Sequence, residues 1–220
     1  MEKQCRRRTC PGEHPLQEAP GWRFVPRDEV HLQPLELHHA EGIQRVASDP
    51  LVGPLAGSLH PVDPDWGRSY CAWRTEARHT GEALTFAVMA GDQVIGCTSL
   101  YDFDRESASA EFSIWLAPKR WRQRIGSRTA QTLLHFAFMS AELTVVRARC
   151  LGDNVPARRF LESLGFTSDD SWQVREGHAA RDSAQGLSLT AVEWMAKRTY
   201  EGLAVQRSRA GFGLFSNGTY

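Results

Sequence analysis

Residues Ala110–Phe138 read AEFSIWLAPKRWRQRIGSRTAQTLLHFAF, and the rest of the chain is organised around this stretch. Phe112, Ile114 and Leu116 alternate with Glu111, Ser113 and Ala117, with Trp115 breaking the polar side. Period two with aromatic and β-branched residues predicts a strand. Pro118 stops it, since proline offers no N–H to a ladder. From about Ile125, Ala130, Leu133, Leu134, Ala137 and Phe138 recur at helical spacing and form one apolar face. Between strand and helix lie Lys119, Arg120, Arg122, Arg124 and Arg128, with no acid among them. The first N–H groups of a helix lack internal acceptors and sit at the positive end of its dipole. Gly126 removes a Cβ there, so the join suits an anion, most naturally a phosphate or pyrophosphate. A solvated basic turn is the plainer reading of the same residues.

Two motifs carry a family resemblance. In the first, Glu111, Pro118, Trp121, Gly126, Leu133, Leu134, Phe136, Ala137 and Phe138 fall in register with a strand bearing Glu, then Pro-x-x-Trp-Gly-x-Gly-x-Gly, then a helix ending Leu-Leu-x-Tyr-Ala-Phe. The shorter signature Gln/Arg-x-x-Gly-x-Gly/Ala is degenerate, with Trp121 at its leading position and Arg124 at its first Gly. The second motif is Asn154-Val-Pro-Ala-Arg-Arg-Phe-Leu-Glu-Ser-Leu-Gly-Phe166, in which Asn154, Ala157, Leu161, Gly165 and Phe166 match position by position. Together they resemble the GNAT N-acetyltransferases, particularly the branch of ribosomal-protein N-terminal acetyltransferases. The resemblance spans about Val30 to Glu201.

It implies an α/β (mixed α+β) fold with a largely antiparallel central sheet, a splayed strand pair and helices on both faces. It implies acetyl-CoA as co-substrate, with pantetheine along Ile114, Trp115, Leu116 and Ala117. The pyrophosphate would lie on Arg122, Gln123, Arg124, Ile125, Gly126 and Ser127, and Asn154, Ala157 and Arg158 would line the second arm. Glu111 would act on the amine, as a base directly or through water, or by positioning it. Ser113 is a further catalytic candidate, with Tyr101 nearby. Many members carry a Tyr as thiolate acid where this chain has Leu161, so a Tyr-assisted step is not implied. The helix bearing Trp66 and Tyr70 flanks the acceptor site in the family. As residues, Trp66, Tyr70 and Trp73 form a stripe more typical of core packing.

The remaining chain is consistent with one domain. With 220 residues it can bury a real core. Equal numbers of basic and acidic side chains, 26 each, argue against a general nucleic-acid binder. Five scattered cysteines give no disulfide framework, and Cys5, Cys10 and His14 lack zinc spacing and a fourth ligand, so no metal is expected. No apolar run is long enough for a membrane span and no signal peptide is evident, which makes a reduced cytoplasmic setting the default.

Residues 1–29 are expected to be a poorly ordered leader, 30–203 the domain and 204–220 a tail. Val30–Leu37 predicts a strand, His38–Ala47 a helix and Asp49–Asp65 a loop. Asp65–His79 follows as a helix, and Leu84–Met89 and Gln93–Tyr101 pair around Ala-Gly-Asp, continuing as a meander into the Glu111 strand. Leu143–Cys150, Trp172–Val174 and Gly186–Leu189 read as strands and Val155–Leu164 as a helix stopped by Gly165. Thr190–Trp194 resembles the family's closing element before a last helix. The function expected is acetyl transfer to a primary amine, a protein N-terminus or a small molecule, by direct attack in a ternary complex. The alternative is a non-catalytic acyl-CoA-binding or regulatory module on the same fold. A homodimer is kept open.

Overall fold

The computed structural model describes residues 30–52, 63–172 and 184–198. The expected leader and tail, the middle of the Asp49–Asp65 loop and most of the expected Trp172–Val174 strand lie outside these residues.

Seven strands form one sheet, in the order β1-β2-β3-β4-β5-β7-β6. These are β1 (Val30–Pro34), β2 (Ala83–Ala90), β3 (Gln93–Asp104), β4 (Ser109–Leu116), β5 (Val145–Leu151), β6 (Thr167–Ser168) and β7 (Ala184–Thr190). The helices are α1 (Ala40–Ala47), α2 (Trp66–His79), α3 (Ile125–Met139), α4 (Val155–Leu164) and α5 (residues 191–198). All neighbouring strands run antiparallel except β4 and β5.

Strand alternation divides the interior in two. Leu84, Phe86, Leu100, Phe112, Val146, Ala148, Leu187 and Leu189 face the main core, where α3 contributes Leu133, Leu134, Ala137 and Phe138. Phe166 stacks on Phe112 at a centroid distance of 6.2 Å and is 2% exposed. Burial of a side chain that large contributes about 2–3 kcal/mol. On the opposite face, Ala87, Met89, Val94 and Cys97 pack with Ile43 of α1 and Cys71 of α2, and Trp66, Tyr70 and Trp115 close over them.

Three local features explain the element ends. Gly165 takes φ 109° and stops α4, as the sequence predicts. Asn154 caps the same helix, its Oδ1 accepting from Ala157 N–H at 3.1 Å. At the start of α5, Thr190 N–H donates to Glu193 Oε2 at 2.9 Å while Glu193 N–H donates to Thr190 Oγ1 at 3.2 Å, which is a capping box. The expected first helix divides into a 3-10 turn, Leu37–His39, followed by α1. The expected first strand ends at Pro34.

Gly96 of β3 lies opposite Leu116 of β4. A Cβ there would sit 2.3 Å from the Trp115 carbonyl oxygen and 2.5 Å from Leu116 Cδ2. The strand pair that carries the site therefore depends on this glycine.

Candidate active site

β4 and β5 pair over only four positions, from Ser109↔Val145 to Phe112↔Ala148. Beyond them β4 continues through Ser113–Leu116 on β3 alone, and β5 continues through Arg149–Leu151 on β7 alone. The sheet is split at this point. Ser113, Ile114 and Trp115 are half-buried on the open arm of β4, and Ala117 N–H donates across to Ile95 O at 2.8 Å.

Glu111 lies at the apex of the split and is 4% exposed. Register places Tyr101 beside it on β3. Arg149, two residues along β5 from Glu111's partner Arg147, points to the same face. Arg149 grips the carboxylate with Nε on Oε1 at 2.6 Å and Nη2 on Oε2 at 2.8 Å. The Tyr101 hydroxyl also donates to Oε1. A carboxylate oxygen has two acceptor positions. Among the described residues, Oε1 has both filled and Oε2 has one filled. Burial and the Glu111 charge push the Tyr101 phenol far above its ordinary range, so it stays a neutral donor. Although burial opposes it, the Glu111 bonds hold the Arg149 guanidinium above its usual value. Trp172 covers Arg149 at 5.7 Å.

On the same face α2 supplies an aromatic wall. Trp66 stacks on Tyr70 at 4.8 Å, and Tyr70 meets Trp115 edge-on at 6.4 Å. The Tyr70 hydroxyl lies 3.8 Å from Cys97 Sγ. The stripe read from the sequence thus has packing partners at Trp66 and Tyr70, while Trp73 is 55% exposed. Cys97, Cys71 and Cys150 are buried free thiols. Burial pushes Cys97 up to about 11 and Cys71 up to about 12.

At the basic join the chain leaves β4 through a 3-10 turn, Pro118–Arg120, and Trp121 Nε1 donates back to Leu116 O at 2.8 Å. Arg122 and Arg124 both adopt φ 60°, the left-handed region. These are the positions where the resembled motif has glycines, so the chain keeps the glycine backbone with side chains that disfavour it. Left-handed residues in a turn bring backbone N–H groups onto one concave side, a geometry that holds anions. Gln123 Nε2 donates to Lys119 O at 2.7 Å, and Arg122, Gln123 and Arg124 are exposed. Gly126 has no positive φ, and a Cβ on it would meet Leu116 and Phe160 at an ordinary 3.5 Å. Its missing side chain therefore faces between β4 and α4, at the mouth of the split. Ile125 is buried in the main core and Ser127 is half-buried. Across the split, Arg158 bonds Glu162 at 3.0 Å and Gln185 at 2.7 Å. Leu161 is buried in the main core.

The acetyltransferase (GNAT) domain family matches residues 29–167. The chain belongs to the GNAT acetyltransferases. This acetyltransferase is 25% identical over 144 residues to an uncharacterised N-acetyltransferase, p20, of Bacillus licheniformis, covering 64% of this chain and 81% of that one. Its fold is shared by the spermidine N-acetyltransferase of Vibrio cholerae, solved with CoA and spermine (TM-score 0.63, 16% identity, 76% of this chain and 98% of that one). It is shared also by Mycobacterium smegmatis RimJ, solved with CoA-disulfide (TM-score 0.60, 17% identity, 76% and 88%). Among the described residues no group of His, Cys, Asp and Glu is arranged to hold a metal ion, and no helix is long and apolar enough to cross a membrane.

The sequence singled out Glu111 and named Tyr101 as a nearby candidate, but not Arg149, and it did not pair any of the three. Arg147 and Arg149 alternate with Val146, Ala148 and Cys150, a period-two signal that puts two cations on one face of a central strand. The pairing of that strand with the Glu111 strand is set by the ladder register and has no local signal.

Proposed function

We propose that this acetyltransferase uses acetyl-CoA to acetylate a primary amine by direct attack in a ternary complex. The observation that carries the reading is the break in β4–β5 pairing just past Glu111. It leaves an extended arm, Ile114–Ala117, free on one side for the pantetheine amides to join as a strand would. The left-handed turn at Arg122 and Arg124, with Gln123, Ile125, Gly126 and Ser127, then receives the pyrophosphate, and the two guanidiniums add charge-assisted bonds. Asn154, Ala157 and Arg158 line the other arm. That several GNAT neighbours were solved with CoA or acetyl-CoA supports this co-substrate.

The thioester then lies at the apex and the amine approaches from the α2 face. The amine nitrogen attacks the acetyl carbon, the N–C bond forms, the C–S bond breaks and its electron pair goes to sulfur. A neutral amine loses one proton in forming the amide and the thiolate gains one, so the transfer balances. The remaining acceptor position on Glu111 Oε2 receives the amine's N–H, holding it for attack or taking its proton. Ser113, two residues along the same strand face, offers a hydroxyl beside the departing sulfur. Trp66 and Tyr70 back the acceptor wall. Buried free thiols fit a reducing, cytoplasmic setting.

The test is free-thiol release from acetyl-CoA across a panel of amines, from peptides with free N-termini to small amines, beside calorimetric binding of acetyl-CoA. Amine-dependent thiol release with a matching acetylated product is expected. A folded protein that binds acetyl-CoA yet releases no thiol with any amine would overturn it in favour of a binding module.

A further inference from the structure

Arg74 of α2 has no role in the chemistry just described. It follows Trp66 and Tyr70 at helical spacing, so its side chain turns toward the sheet. It is 8% exposed, and its Nε is buried without a hydrogen-bond partner among the described residues. Its guanidinium lies over three aromatic rings: Trp73 at 4.5 Å, Tyr101 at 5.2 Å and Tyr70 at 5.7 Å. It also reaches the Tyr70 hydroxyl, which burial keeps neutral.

The two arginines that β5 places on this face have a carboxylate in contact or in reach, although Arg147 Nε, like Arg74 Nε, is buried without a hydrogen-bond partner among the described residues. Arg149 holds Glu111. Arg147 donates to Ser109 and lies within electrostatic reach of Asp104 and Asp169. Arg74 has none among the described residues. A guanidinium withdrawn from water and given ring faces and one neutral hydroxyl is incompletely compensated, since these replace part of its hydration but supply no counter-charge. The position matters as much as the charge. The Tyr101 ring that carries Arg74 on its face places its hydroxyl on Glu111. One phenol ring therefore separates the uncompensated cation from the carboxylate at the apex.

We propose that Arg74 selects the acceptor by binding an anionic group, carboxylate or phosphate, borne a short arm away from the amine that is acetylated. This rests on the amine-acetylation reading above. The face then holds Glu111 for the amine and Arg74 for the anion. It disfavours polycations, because an extended polyamine would lay its second charge against a guanidinium.

Two measurements test this. In the first, inorganic phosphate is titrated into the full-length protein with saturating CoA present to occupy the basic turn, and binding is followed by calorimetry. Phosphate should bind wild type and Arg74→Lys, and at least fivefold more weakly to Arg74→Gln. Equal phosphate binding by wild type and Arg74→Gln, or none by wild type, overturns the proposal. In the second, thiol release is compared for O-phosphoethanolamine, β-alanine, ethanolamine and spermidine. Wild type should favour one of the two anionic amines over ethanolamine by at least tenfold in kcat/KM, and which one leads separates phosphate from carboxylate. Arg74→Gln should collapse that ratio through KM, and Arg74→Lys should restore part of it. A wild-type preference for spermidine or ethanolamine overturns the proposal without recourse to any variant. If no amine releases thiol, acetylation of amines fails as a reading, and the phosphate titration still decides the fate of Arg74.

Discussion

Replacing both Arg122 and Arg124 with glycine should make the protein more stable while weakening its grip on CoA. Both residues sit at φ 60°. An L-residue in that region costs roughly 1–2 kcal/mol relative to glycine. Glycine gives back about 0.5–1 kcal/mol because its unfolded chain is freer. The net gain is about 0.5–1 kcal/mol per position, or about 1–2 kcal/mol for the pair. Both side chains are exposed and make no hydrogen bond or ion pair among the described residues, so little contact energy is lost with them. For a chain of this size each kcal/mol moves Tm by about 2–4 °C, so thermal unfolding should shift up by roughly 2–8 °C. Acetyl-CoA affinity should move the other way, falling at least about tenfold as two charge-assisted phosphate contacts are removed, equivalent to about 1.4 kcal/mol. The control is Arg122→Gln with Arg124→Gln, which removes the charges but keeps Cβ. It should lose the same affinity and gain no stability. A glycine pair less stable than wild type, or a glutamine pair that gains equally, would refute the backbone argument. Unchanged affinity in both would refute the phosphate assignment.

Three further outcomes are expected. Glu111→Gln should lower kcat roughly a hundredfold with acetyl-CoA affinity kept if the carboxylate takes the proton, and raising pH should then partly rescue it; a raised acceptor KM with kcat kept marks positioning instead, and neither change leaves Glu111 structural. Gly96→Ala should cost about 1–3 kcal/mol by denaturant unfolding, because its Cβ meets the Trp115 carbonyl; a variant within 0.5 kcal/mol of wild type, on the order of ordinary surface changes, would mean that β3 and β4 separate readily. Since burial raises the Cys71 and Cys97 thiols to about 12 and about 11, they remain protonated at pH 8, and a disulfide reagent should reach them only after denaturation; rapid labelling of either in the folded protein would contradict their packing.

Much of this architecture is legible in local sequence, because strand and helix periods are local properties. Val155–Leu164 is read to the residue, its C-terminal end marked by Gly165, while the cap that Asn154 supplies at the other end emerges from the structure. The expected Gly186–Leu189 strand extends to Ala184–Thr190, and the two-residue β6 is too short to show a period. The apex is harder to read. Tyr101, Glu111 and Arg149 come from three strands, and only the ladder register brings them together. Arg74 is harder still. Helical spacing puts it on the face of Trp66 and Tyr70, but an Arg there reads as the solvated end of the stripe, and only tertiary packing shows it buried over the Tyr101 ring. The basic join was legible as composition, but not the left-handed backbone beneath it, since arginine is a poor marker of positive φ.

The four-position seam between β4 and β5 also sets how little ladder holds the two halves of the sheet together. β1–β4 form one panel and β5, β7 and β6 the other, joined by this short ladder and by the helices packed across it. A change at Phe112 or Ala148, the last pair of the seam, acts on the closed end of the gap as well as on the core that both residues line. Lengthening the seam by even one pair would zip Ser113 to Arg149 and narrow the gap from its closed end. The width of the gap is therefore governed by residues that touch no ligand, and a variant chosen there for tighter packing would trade away the opening itself.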